Sequence, residues 1–516
     1  MKMRAWIFAI IGLVFTLNTA LAELRLHGLF TDNMILQRDE PVYVYGFCDD
    51  DDTVTVTFRN IPTKAKVKDG KFVAKLKAMK AGPPDNLRVT AYRNYRKGRT
   101  VPPPETNEIS NVVVGEVWIA SGQSNMEWPL RASADSEQVI AASENPNIRL
   151  YTVPKLKAEH PTNNVTGSWQ VCDTNTVGNF SAVAYFFARD LQKALNVPVG
   201  IIHTSWGGSP AEVWMSEEVL KHKDYEDLWA YYKESNSRYE TALAKFEQDE
   251  AAAKKANKEF KTQRPRPPGW KPTELYNGMI APLVQFRFKG AIWYQGESNA
   301  GRAWEYRHLF QDMIKNWRND FDQGAFPFLL VQLAPFKAYK SGVDESDWAE
   351  LREAQALATK EMKNVGMAVI TDVGDQKDIH PKQKEPVGAR LALAARAIAY
   401  DEKIVYSGPT YKSKDIRGNK IVLHFDHVGS GLEARGGELK GFQVCGEDRR
   451  WQWAKATIQD DNTVVVTHFD IAEPIAVRYG WADFPMVNLW NKNGLPASPF
   501  RTDDFPVTTQ PKKRSS

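Results

Sequence analysis

The stretch Gly115-Glu116-Val117-Trp118-Ile119-Ala120-Ser121-Gly122-Gln123-Ser124-Asn125-Met126-Glu127-Trp128 decides the fold. Apolar residues from Val112 to Ile119 read as a buried strand, and the chain then turns at once through Ser-Gly-Gln-Ser-Asn. A serine just past a strand end, beside a glycine, presents its hydroxyl above the sheet edge. The next backbone N–H groups can then point at a developing oxyanion, as acyl transfer requires. The order Gly122-Gln123-Ser124-Asn125-Met126 lacks the second glycine of a G-x-S-x-G elbow, which argues against an ordinary α/β-hydrolase. Taken alone, such a turn is a loop connector more often than a nucleophile.

Two distant segments reverse that balance. A short apolar strand from Met367 to Ile370 runs into the polar loop that holds Asp378-Ile379-His380-Pro381, and an amphipathic helix follows from about Val387 to Tyr400. His380 supplies a general base there, and Asp378 a carboxylate to orient it. The second segment, Gly290-Ala291-Ile292-Trp293-Tyr294-Gln295-Gly296-Glu297-Ser298-Asn299, is another apolar strand ending in a polar turn. Its Gln295 and Asn299 amides are candidate donors to an oxyanion.

Ser124, the pair Gly207-Gly208, Asn299 and His380 follow predicted strands in this order, which resembles the SGNH hydrolase superfamily. The match closes further on the sialate O-acetylesterase-like carbohydrate esterases, through Gly115 to Leu130, Ser205 to Trp214, Leu275 to Leu283, Ile292 to Ala300 and Asp378 to Pro381. The resemblance implies a secreted serine esterase that removes acetyl groups from sugars. It gives Ser124 as nucleophile and His380 as base, with Gly208 (or Gly207) and Asn299 as oxyanion donors beside the Ser124 N–H. Many SGNH hydrolases place an aspartate three residues before the histidine, where this chain has Lys377. Asp378 is the expected acid, with Asp375, Asp372 or no carboxylate as alternatives. Gln295, Gly207 and Trp206 are expected to line the substrate site, and Glu297 reads as structural. Neither a cofactor nor a metal is implied.

The 516 residues allow about three domains. A formal net charge of +4 with no basic block before the last few residues gives no reason to expect nucleic-acid binding. Lys2 and Arg4, the apolar run Ala5 to Leu17 and Ala20-Leu21-Ala22 read as an export signal cleaved near Ala22/Glu23. The run is too short to span a bilayer, so a soluble secreted or periplasmic protein is expected. Cys48, Cys172 and Cys445 allow at most one disulfide. Sixteen tryptophans and eighteen tyrosines suit either sugar stacking or large cores.

Residues 23–110 alternate like the strands of a small β-sandwich, and Val101-Pro102-Pro103-Pro104 reads as a stiff connector. Residues 111–406 alternate strand and helix, the pattern of a mainly parallel α/β sheet with helices on both faces. An inserted helical hairpin is expected at about 216–271, either shaping the acyl pocket or bracing the fold. Residues 407–516 return to β character as a second all-β unit, which is free to pack against the first. The expected substrate is an acetylated sugar or glycan. Acetylxylan esterase activity is the alternative of the same mechanism, and a non-catalytic carbohydrate-binding protein is the alternative of another class.

Overall fold

The computed structural model describes residues 23–49, 52–93 and 103–511, so the expected leader at 1–22 and much of the 101–104 connector lie outside the described residues. The site is carried by six strands: β1 (Glu105–Gly122), β2 (Asn145–Thr152), β3 (Val199–Ser205), β4 (Gly290–Tyr294), β5 (Phe328–Val331) and β6 (Val365–Ala368). They pair in parallel in the order β2-β3-β1-β4-β5-β6. Five helices accompany them: α1 (Ala182–Leu195), α2 (Glu226–Lys255), α3 (Ala303–Phe321), α4 (Asp347–Glu361) and α5 (Glu385–Ala399). Strand β1 lies between β3 and β4, so the sheet is wound outward in both directions from it. Its C-terminal end is the crevice where such sheets collect ligands.

Strands β3, β4 and β5 are buried along their whole lengths, which is why they read as unbroken apolar runs rather than alternating ones. Among the described residues six tryptophans (Trp118, Trp169, Trp214, Trp293, Trp317 and Trp481) are fully buried. Much of the aromatic content therefore fills cores. All three cysteines are buried and free. Among the described residues no helix is long and apolar enough to cross a membrane. No group of three or more His, Cys, Asp or Glu side chains among them is placed to hold a metal ion.

Most N-terminal strands are antiparallel, Ile35–Gln37 pairing parallel with β1, and in Thr53–Phe58 the valines and Phe58 point inward and the threonines outward. Ile61–Lys68 pairs with Thr53–Phe58 over its first six residues and with Phe72 and Lys71 through Val67 and Lys68. One ladder thus bends over on itself. Strand β1 joins this ladder to the α/β body without a break, pairing antiparallel with Gly82–Tyr92 at its start and parallel with β3 and β4 at its end. The expected boundary at residue 110 falls inside it. There Asn111 takes a φ of +55°, and the register with Gly82–Tyr92 slips nearby. This kink turns one strand from one layer into the next.

The insertion is not a helical hairpin. The one-turn helix Glu217–Leu220 and a turn at Lys223–Tyr225 lead into one long helix, α2, and Ala256 to Pro272 return without helix. No glycine or proline interrupts 226–255, whereas Pro265, Pro267 and Pro268 exclude helix on the way back. The C-terminal unit packs on α4 through its loops. Arg352 donates to the Ala482 and Asp483 carbonyls at 2.7 and 3.0 Å. Glu350 accepts the Thr508 and Thr509 N–H groups at 2.8 and 3.0 Å.

Candidate active site

Strand β1 ends at Gly122, whose φ of +136° suits glycine and strains any other residue. A Cβ there would stand 2.1 Å from the Tyr294 carbonyl oxygen, so only glycine lets the chain hug β4 as it turns. Gln123 N–H donates to that same carbonyl at 3.0 Å, and Ser124 opens a one-turn helix, Ser124–Glu127. As the first helical residue, Ser124 has an N–H without an acceptor inside its own turn.

Ser124 Oγ lies 2.8 Å from His380 Nε2. Asp378 Oδ1 accepts the His380 backbone N–H at 2.9 Å and lies 3.3 Å from its Nδ1. One carboxylate oxygen thus ties ring and backbone of the same residue, which fixes the tautomer and aims Nε2 at the hydroxyl. The Trp128 ring stacks on the imidazole with centroids 4.9 Å apart. Burial holds the His380 pKa below its ordinary value; Asp378 opposes this shift and Lys384 adds to it. The other aspartates are engaged elsewhere. Asp375 Oδ1 accepts the Lys377 and Asp378 N–H groups at 2.7 and 3.1 Å, and Asp372 grips Arg390 through both oxygens at 2.6 and 2.7 Å.

The β3 turn approaches from the other side. A Cβ on Gly207 would meet Ser124 Cβ at 3.2 Å and Glu127 Oε2 at 3.3 Å. Its N–H donates to Glu127 Oε2 at 2.6 Å, while Glu127 Oε1 accepts from Lys155 at 2.5 Å. Gly207 is therefore a spacing residue with its donor already spent. Gly208 follows at φ +75°, with no atom within 4 Å of where a Cβ would stand.

The two amides of the β4 turn are held by neighbouring side chains. Asn299 is buried with its Nδ2 donating to Glu212 at 3.0 Å and its Oδ1 accepting from Ala211 N–H and Gln295 at 3.0 and 2.6 Å. It is part of a bracing network that ties the β4 turn to Ala211 and Glu212. Gln295 is fully buried, giving Nε2 to Asn299 and accepting the Tyr306 hydroxyl at 3.0 Å on Oε1. It holds the β4 turn from beneath and does not line the cavity. Trp206 stays half-buried, its N–H donating to the Gly122 carbonyl at 3.1 Å and its ring edge-on to Trp270. His203 is neutral, lowered to a pKa of about 4 by burial, and its Nε2 lies 2.6 Å from Ser205 Oγ.

Beneath the serine lies a polar chain that the motif reading overlooked. Asn125 Nδ2 donates to Glu297 Oε1 at 2.6 Å and to the Ile379 carbonyl at 3.0 Å. Lys384 Nζ donates to Asn125 Oδ1 at 2.5 Å. Lys384 is almost fully buried, and that burial lowers its pKa to about 7. Burial likewise raises the Glu297 pKa. The residue after Ser124 is thus tied to the residue before His380.

Ser124 and His380 open into a cavity of about 640 Å³, also lined by Trp128, Arg131, Asn179, Lys155, His203 and Ser205. The Arg131 guanidinium meets only Asn179 Oδ1 by hydrogen bond and no carboxylate among the described residues. A serine activated by an oriented imidazole, beside N–H donors and an open cavity, can carry out acyl transfer to water.

The carbohydrate esterase, sialic acid-specific acetylesterase family matches residues 114–264 and 265–397. The sialate O-acetylesterase of Rattus norvegicus is 29% identical over 91% of this chain and 93% of its own length. That of Homo sapiens is 28% identical over 92% of each. The crystal structure of a carbohydrate acetylesterase from Xanthomonas citri is 38% identical with a TM-score of 0.79, covering 93% of this chain and 100% of that one.

Proposed function

Because the chain belongs to the sialic acid-specific acetylesterase family of carbohydrate esterases, and is a carboxylic ester hydrolase, we propose that it removes O-acetyl groups from sugars through an acetyl-enzyme on Ser124. The observation that carries this reading is the 2.8 Å approach of Ser124 Oγ to His380 Nε2, with Asp378 behind the ring. His380 takes the serine proton as Oγ attacks the acetyl carbon. The tetrahedral oxyanion is held by the Ser124 and Gly208 N–H groups. His380 returns the proton to the sugar oxygen as the C–O bond breaks. Water, deprotonated by the same ring, then attacks the acetyl-enzyme and releases acetate. In these terms the α/β body is an SGNH-type esterase in which the asparagine of the β4 turn supports the site from behind.

Arg131 favours a sialate over a neutral sugar at the acetylated unit, because a guanidinium in the cavity matches a carboxylate bidentately. Wild-type protein should release acetate from O-acetylated sialic acid faster than from acetylated xylan. Arg131→Ala should raise KM about tenfold for the former and leave 4-nitrophenyl acetate unchanged. Equal rates on both sugars, unmoved by Arg131→Ala, would leave acetylxylan esterase as the better reading. The N-terminal Lys2, Arg4 and Ala20-Leu21-Ala22 support export.

The pH profile tests the base. The active imidazole is the neutral one, so kcat/KM should rise with pH through a midpoint below about 6.5, since burial lowers the His380 pKa. Asp378 raises that pKa, so Asp378→Asn should move the acid limb further down while cutting kcat about tenfold or more. A limb that stays in place in this variant would remove Asp378 from the triad.

A further inference from the structure

A second cavity, of about 760 Å³, opens on the far side of the β3 turn and, apart from Gly208, is lined by residues the ester chemistry does not use. Ser205 lines the Ser124 cavity and Gly208 lines this one, with Gly207 between them packed against Ser124. The β3 turn stands between the two spaces, and no atom lies within 4 Å of where a Gly208 side chain would begin.

The insertion builds the outer wall. Asp227, Leu228, Tyr231, Tyr232 and Ser235 all line the cavity, and their spacing is that of one face of α2. Tyr231 is 71% exposed, a large ring left open to solvent at the rim of a concave site. Opposite, Trp270 comes from the returning segment, with its edge against Trp206 and the Lys157 ammonium over its ring at 4.2 Å. The floor carries Glu212, Arg302 and Glu305: Arg302 bridges both carboxylates, at 2.5 Å to Glu305. With Asp227, three carboxylates face one guanidinium. Such a surface offers rings for the apolar faces of sugars and acceptors for their hydroxyls, and it repels a second anion.

We propose that this cavity is a glycan subsite, built by the insertion, that holds neutral sugar units next to the acetylated unit at Ser124. It rests on the esterase reading and extends it, for it makes the preferred substrate an oligosaccharide and not an acetylated monosaccharide.

The test compares two substrate pairs, O-acetylated sialyllactose with O-acetylated sialic acid and acetylated xylotetraose with acetylated xylose, using 4-nitrophenyl acetate as the small control. In wild-type protein, kcat/KM for at least one oligosaccharide should exceed that of its monosaccharide about tenfold. Tyr231→Ala with Tyr232→Ala should abolish that gain and leave 4-nitrophenyl acetate untouched. A glucuronic acid branch on the acetylated xylotetraose should also remove it. The proposal is overturned by equal rates on oligosaccharide and monosaccharide, by a variant that loses the small ester equally, or by hydrolysis of the small ester alone. Failure of wild-type protein on 4-nitrophenyl acetate as well would instead bring down the esterase reading itself.

Discussion

Replacing Ser124 with alanine is expected to lower acetyl ester hydrolysis by about 10⁴-fold or more, because the members of such a unit act together and the residue removed forms the covalent bond. The loss should fall on kcat. The fold should not notice it, because the ring of His380 keeps its stack on Trp128 and its tie to Asp378 without the hydroxyl. The unfolding free energy should stay within about 0.5 kcal/mol of wild type, as for a surface substitution. A fluorophosphonate probe should modify wild-type protein at Ser124 and leave the variant unlabelled, since only a serine activated by a neutral imidazole reacts readily. Turnover of 4-nitrophenyl acetate at a tenth of the wild-type rate in the variant would refute the assignment.

The parts legible in the sequence were those whose physics is local. A buried parallel strand is an apolar run, and a run that ends in glycine and small polar residues marks a strand C-terminus, so Ser124, Gly207 and His380 could be put at one sheet edge before any coordinates. Helix α1 is cut by Ser181, whose side chain caps Ala184 N–H, and by Asn196 in the left-handed region, so both of its ends can be read from residue type. What could not be read was which way a side chain faces within a turn. Asn299 and Gln295 carry the same amides wherever they point. Only packing against Glu212 and Tyr306 turns them inward. The insertion failed for a related reason: a charge-rich helical period does not reveal whether a chain doubles back as a second helix or returns extended. Lys384 was passed over because a lysine at the start of an amphipathic helix ordinarily belongs to its solvated face.

That lysine leads to the second large effect. Lys384→Met keeps the stem that fills the space and removes the ammonium that donates to Asn125 Oδ1. Asn125 then keeps its two Nδ2 bonds but is left with a buried Oδ1 that has lost its donor, so the amide shifts and its bond to the Ile379 carbonyl, one residue before His380, loosens. Displacement of a general base by about 1 Å costs on the order of a hundredfold, so kcat should fall by about ten- to a hundredfold while KM moves little. Stability should carry an independent signature. The lysine pKa drops from 10.5 in the unfolded chain to about 7 in the folded one, with burial as the chief cause. Between those values the unfolded state binds the extra proton, so stability rises with pH there, by up to about 1.4 kcal/mol per pH unit, and is lost as pH falls towards 7. Methionine does not titrate, so wild-type protein should gain on the variant when denaturant midpoints are measured from pH 7.5 to 9. Glu297, whose pKa the same burial raises, works in the opposite sense and is carried by both proteins. Parallel stability curves for the two proteins, together with an unchanged kcat, would show that the ammonium neither orders the histidine loop nor bears a depressed pKa.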